Sequence, residues 1–211
     1  MHYVDRGIEP TKLKAVRSKH GLKWIKYYEK GEGLKPSDKA WQRFRDILGQ
    51  RFSHLCGYCE EECRGEVDHF RPKTTFPRLV YEWSNWVFAC NSCNNYKREK
   101  WPPRGYVNPC LKNPSPESRF VFDTSTGEIR PRKKLSKAEF TRAIQTIDDL
   151  RLDALYHLKK RKRWLYAVRI ALRSHGLSQQ ERDQIVSTWT APQTAHSSFT
   201  RELMRELKLK F

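Results

Sequence analysis

Four of the six cysteines in this 211-residue chain form two Cys-x-x-Cys pairs, Cys56/Cys59 and Cys90/Cys93. Each pair puts two thiolates on one tight turn, suited to adjacent corners of a zinc tetrahedron with Zn–S near ~2.3 Å. Two pairs close the tetrahedron and leave no open position. The expected Zn2+ is therefore structural, clamping the start of the stretch 56–97 to its end. Asp68, His69 and Asn85 lie between the clamps, and Asn94 follows the second. A carboxylate, an imidazole and an amide are the groups of a one-metal hydrolytic site. Their oxygens suit a hard cation such as Mg2+ or Mn2+, which keeps several waters and takes one or two protein ligands. A neutral histidine beside it serves as general base near pH 7.

Other chemistries compete for these residues. Disulfides need an oxidising compartment, and residues 1–14 contain no apolar signal-peptide core. A thioredoxin-like pair needs one Cys-x-x-Cys after a strand in a βαβ pattern, which is absent. Cys63 and Cys110 are left as reduced thiols, with Cys63 able to compete with Cys59 for the metal. The plain alternative for Asp68-His69 is a buried strand pair with a satisfied histidine. For Asn94 it is a cap on a helix N-terminus, which does not exclude metal binding.

The elements that must position these groups are short. Glu66 to Phe70 alternates polar and apolar side chains as a strand does, and Arg71-Pro72 breaks it. Trp83 to Ala89 reads as a turn feeding a second strand, and Asn91 to Lys100 as a helix starting at the second cysteine pair. Strand, strand and helix over a zinc base bring Asp68, His69 and Asn94 to one face.

On these residues the stretch resembles an HNH endonuclease core, the ββα-metal nuclease fold, in its four-cysteine zinc variety. The resemblance implies His69 as the base that deprotonates water, Asp68 and Asn94 as ligands of the catalytic Mg2+ or Mn2+, and Asn85 as the residue holding the base-bearing loop. It places Lys97 near the scissile phosphate; Arg71 and Lys73 are the further expected substrate contacts. The first histidine of the family name is replaced by Asp68 and the last by Asn94. Products with 5'-phosphate and 3'-hydroxyl ends are implied. The Glu66 to Lys73 run, Tyr81-x-Trp83-x-Asn85, Asn108-Pro109-Cys110 and Gly7-x-Glu9-Pro10 also resemble the PtuB-type HNH nucleases of Septu antiphage systems, which occur beside some retrons. That likeness implies a PtuA-type ATPase partner, with a retron RNA–DNA element as a further candidate.

The rest of the chain is consistent with a nucleic-acid enzyme. A formal charge of +18 and a pI near 9.8 call for an anionic partner. Seven tryptophans and nine tyrosines in a chain of mean hydropathy −0.85 offer stacking surfaces as well as core. No run is apolar enough to span a bilayer, and a cytoplasmic location is expected. The anticipated fold is α+β: an N-terminal arm and helix (1–52), the nuclease core (53–110), and a β-hairpin with a helical region (111–211).

Within 12–30 the apolar positions are too scattered to specify a helix, and the arm is equally suited to partner contact or to folding back on the core. Ser37 is the expected cap of a helix burying Trp41, Phe44, Ile47, Leu48 and Phe52. A hairpin is expected over 119–130. Capping boxes at Ser136/Glu139 and Ser178/Glu181 open helices, the first burying Phe140, Ile144, Ile147 and Leu150. Between them a long helix, 152–174, is expected to bury Leu155, Leu158, Leu165, Val168 and Leu172. It carries the run Lys159 to Arg163, which spreads around more than one turn and cannot face a single ligand. A final stripe, Phe199, Leu203, Leu207 and Phe211, reads as core packing. The expected function is metal-dependent cleavage of nucleic acid, DNA foremost and RNA or tRNA as the other candidates, in prokaryotic defence. The rival is a non-catalytic zinc module that binds nucleic acid or builds an assembly with an ATPase.

Overall fold

The computed structural model describes residues 1–209. At its centre β1 (Glu66–His69) pairs antiparallel with β2 (Trp86–Ala89), Asp68 opposite Val87 and His69 opposite Trp86. All four residues of β2 and three of β1 are buried, so this hairpin lies inside the core and not on its surface. Helix α1 (Thr11–Lys30) precedes the pair, α2 (Arg45–Arg51) leads into the first cysteine turn, and α3 (Asn91–Lys97) follows β2. The Cys90 sulfur accepts from the Cys93 amide and so caps α3. The strand, strand, helix order is the expected one. Only the helix end differs: Arg98 turns to a φ of 46° and stops α3 short of Lys100.

The segment with scattered apolar positions is the 20-residue helix α1, closed by Gly31 at φ 69°. Its inward stripe includes polar residues, which hides it from a hydrophobic pattern. Arg17 donates through Nε to the Tyr81 carbonyl at 3.0 Å and pairs with Glu82 at 2.9 Å, while His20 faces Asp38 at 3.3 Å. Leu13 and Trp24 are buried beside them. The arm is thus folded back on its own core.

Ser37 makes no cap. The chain instead enters a 3-10 turn, Ala40–Phe44, before α2. The change from three to 3.6 residues per turn keeps Trp41, Phe44, Leu48 and Phe52 buried but moves Ile47 to the surface, 40% exposed.

In the C-terminal part β3 (Phe120–Phe122) and β4 (Ile129–Pro131) form the expected hairpin, leaning on α4 (Lys137–Asp149) and α7 (Ser197–Glu206). Both capping boxes form, opening α4 and α6 (Gln179–Thr190). The buried side of α4 is rotated from expectation: Ala143, Thr146 and Ile147 face inward, while Phe140 and Ile144 are exposed. Thr146 sets this rotation, donating to the Arg142 carbonyl and accepting from the Val107 amide at 2.9 Å. In α5 (Leu155–Arg173) Leu165 and Val168 are buried and Leu158 and Leu172 half-buried, but Leu155 is exposed. Within the basic run Arg161 is buried, donating to the Leu152 carbonyl, and Lys160 pairs with Glu61; Lys159, Lys162 and Arg163 face solvent. Phe199 and Leu203 are core, Leu207 is half exposed, and Phe211 lies outside the described residues.

One apolar core runs from Met1 to Met204. Met1 and the start of α7 meet it at the first cysteine turn. Glu60 pairs with the Met1 amine, its carboxylate accepts from the Ser198 amide at 3.0 Å, and its carbonyl accepts from the His196 amide at 3.2 Å.

Candidate active site

The sulfurs of Cys56, Cys59, Cys90 and Cys93 all lie within 4.8 Å of one another, and the Cys59–Cys90 separation is 3.8 Å. A tetrahedron with Zn–S near ~2.3 Å has edges of about 3.8 Å, so the donor set fits zinc. Burial pushes the Cys59 thiol up, while hydrogen bonds from the neighbouring thiols pull Cys90 far down. Zinc takes such sulfurs as thiolates and displaces their protons. Cys63 and Cys110 lie outside the group, and burial pushes both thiols up. The first turn is tightly packed. A Cβ on Gly57 would come within 2.7 Å of Phe52 and 2.9 Å of Val87.

Asp68 is held by one residue of the first cysteine turn and one at the end of α3. Tyr58, inside the first Cys-x-x-Cys, donates its hydroxyl to Oδ2 at 2.6 Å, and Lys97, at the end of α3, places its ammonium 3.0 Å from Oδ1. The same ammonium donates to the His69 carbonyl at 2.7 Å. Lys97 is 0% exposed. It therefore does not reach a phosphate in the way the sequence suggested; its charge is committed to the carboxylate beneath the site. Each carboxylate oxygen still has a lone pair beyond the bond it accepts.

His69, also buried, donates Nε2–H to the Val80 carbonyl at 2.9 Å. That carbonyl only accepts, so the unprotonated nitrogen is Nδ1. Trp41 packs edge-on against the imidazole at 4.9 Å and 89°. Burial, and then the charge of Lys73, lower its pKa to about 4, and the ring is neutral at pH 7.

Asn85 lies under the loop between the two strands. Its Oδ1 accepts from the Arg71 amide at 2.9 Å, and its Nδ2 donates to the carbonyls of Arg71 and Leu79 at 3.0 and 3.2 Å. This side chain ties Arg71 to Leu79 across the loop that runs from His69 to Val80, and it is buried. Asn94 is partly exposed and lines, with Asp68, His69 and Lys73, a cleft of about 850 Å3. A carboxylate and an amide facing one cleft are the donor set that a hydrated divalent cation takes. Lys73 pairs with Glu99 at 3.0 Å. Arg71 is not part of the cleft; its guanidinium lies over Phe76 and Trp101 at 5.7 and 5.9 Å from the ring centres.

Sequence reasoning missed Tyr58, the Val80 carbonyl and Trp41, which carry no local motif. It also missed that α1 and residues 35–42 line the same cleft.

Residues 56–100 match the family model described as HNH endonuclease. A curated relative, the Septu protein PtuB of Bacillus thuringiensis, is 41% identical over 95 residues, which cover 40% of this chain and 36% of that protein. The aligned part is thus little more than a third of the relative's length. Over residues 56–100 this chain is similar to the HNH endonucleases.

Proposed function

We propose that the protein is a metal-dependent endonuclease that hydrolyses phosphodiester bonds, DNA foremost, in an antiphage system of the Septu type. The observation that carries this reading is His69: a neutral imidazole whose Nε2–H is committed to Val80, leaving Nδ1 to take a proton from water in the cleft. Asp68 and Asn94 would hold Mg2+ or Mn2+. That ion, when bound, supplies a Lewis acid at the phosphate and stabilises charge on the leaving 3'-oxygen. Tyr58 and Lys97 fix the Asp68 carboxylate, Asn85 fixes the loop behind His69, and Trp41 fixes the tilt of its ring. The cysteine cluster would hold Zn2+ with no position left for substrate, so its part is to anchor Tyr58 and α3.

Likeness to PtuB supports assembly with a PtuA-type ATPase, which would gate the nuclease; a retron RNA–DNA element is a further partner consistent with that likeness. The test is cleavage of labelled DNA and RNA with Mg2+ or Mn2+ by wild type and His69→Ala, alone and with the ATPase. Metal-dependent cutting abolished in His69→Ala is expected. Identical behaviour of the two proteins with partner present would leave a zinc-clamped binding module as the better account.

A further inference from the structure

The cleft above Asp68 and His69 is not built by the nuclease core alone. Trp24 and Tyr28 of α1, and Lys35 and Lys39 of the segment that follows it, line it together with Lys73 and Arg98. Tyr28 is half-buried and stacked on Trp24 with ring centres 5.6 Å apart and planes 13° from parallel. Its ring is therefore a fixed platform rather than a free rotor. Among the described residues Lys35 and Lys39 are exposed and in no ion pair. The carboxylates that share the cleft are mostly engaged: Asp38 by His20 and Tyr81, Glu99 by Lys73 and Thr74, Asp68 by Lys97. Glu66 is exposed and, among the described residues, in no ion pair.

A cationic groove joined to an aromatic platform is the arrangement that binds single-stranded nucleic acid, the cations tracking the backbone and the ring taking a base face. In a duplex each base has both faces covered by its neighbours, and none is offered to such a ring. The recessed position of the reacting groups, 4% exposed for Asp68 and 5% for His69, adds to this. A phosphate must descend into the cleft to reach them, and a single strand does so without carrying its complement along.

We infer that the α1 wall makes this cleft a channel for single-stranded nucleic acid, with Tyr28 stacking an unpaired base beside the scissile phosphate and Lys35 and Lys39 holding the backbone. The inference rests on the nuclease reading for the word scissile, but the binding it describes does not.

The test uses a fluorescent single strand of about 20 nucleotides, as DNA and as RNA, and the matching DNA duplex, titrated with full-length His69→Ala without divalent metal. Either single strand is expected to bind more tightly than the duplex. Adding Tyr28→Ala should weaken single-strand binding roughly 5- to 150-fold, the weight of one stacked base. Tyr28→Phe should retain it, and the surface pair Lys35→Glu/Lys39→Glu should weaken it and flatten its salt dependence. Duplex binding equal to single-strand binding, or unchanged affinity in a folded Tyr28→Ala protein and in the lysine pair, would overturn the inference. Because binding is read in a protein unable to cleave, failure of wild type to cut any substrate would count against the nuclease reading only.

Discussion

The hydroxyl of Tyr58, a residue enclosed by the first cysteine pair, donates to Oδ2 of Asp68 at 2.6 Å. The cysteine cluster and the carboxylate proposed to hold the catalytic metal are thereby joined through one side chain. Both groups are buried, and burial together with the facing carboxylate raises the Tyr58 pKa well above its ordinary value, so the phenol stays a donor. Tyr58→Phe keeps the ring and removes the donor. A hydrogen bond to a charged group contributes about 1.5–3 kcal/mol, and roughly a ten- to hundredfold fall in turnover is expected if the orientation of Asp68 matters. Steady-state cleavage beside a circular dichroism spectrum checks it. Full activity in a folded variant would mean Lys97 alone positions the carboxylate.

Zinc removal should act on the same relationship from the other side. Without the ion, the four sulfurs no longer tie residues 56–59 to 90–93. Structural zinc contributes folding free energy directly. Metal analysis is expected to find about one zinc per chain, lost in Cys90→Ser together with the cooperative melt. Cys63→Ser and Cys110→Ser should keep it, since neither sulfur belongs to the cluster. Zinc retained in Cys90→Ser but lost in Cys63→Ser would reassign the ligands.

Asn85 makes three bonds to the backbone of the loop it lies beneath. Asn85→Ala removes the partner of the Arg71 amide and carbonyl, at about 1–3 kcal/mol for each left unmet, and leaves the Leu79 carbonyl with the Glu82 amide. The expected result is a lower melting temperature and faster proteolysis within 71–85, with activity lost because the Val80 carbonyl no longer holds Nε2 of His69. Asn85→Asp should fail similarly, because a carboxylate cannot donate to the Arg71 and Leu79 carbonyls. An Asn85→Ala protein as protease-resistant as wild type would show that the loop is fixed by other contacts.

What could be read beforehand was local. Cysteine spacing, alternation over 66–69 and the two capping boxes are set by residues within a few positions of one another. Lys97, Tyr58 and α1 were different. Their roles depend on partners far along the chain: Lys97 on Asp68, Tyr58 on the same carboxylate, Arg17 and His20 on Tyr81, Glu82 and Asp38. A lysine beside an expected phosphate site reads as a substrate contact until its burial is known. Likewise Phe140 is the better apolar candidate on α4 by composition, and a hydroxyl bonded to Val107 decides otherwise.

His196 gives the fold a pH dependence of known sign. It is buried and begins α7 at φ 54°, and burial lowers its pKa to about 4, from about 6.5 in the unfolded chain. Between those values the unfolded chain binds the extra proton, so stability rises with pH there. The contribution is complete above pH 6.5 and is lost as pH falls through 4. At about 1.36 kcal/mol per pKa unit, roughly 2 kcal/mol should disappear between pH 7 and pH 5 through this residue. His69, lowered in the same direction, adds a loss of the same sign. His196→Asn tolerates the left-handed backbone, but it does not titrate. Urea unfolding of wild type and His196→Asn at the two pH values separates the terms, because the cysteine cluster and His69 are common to both. The variant is expected to lose less stability on acidification; equal losses would mean that His196 meets water before the fold opens.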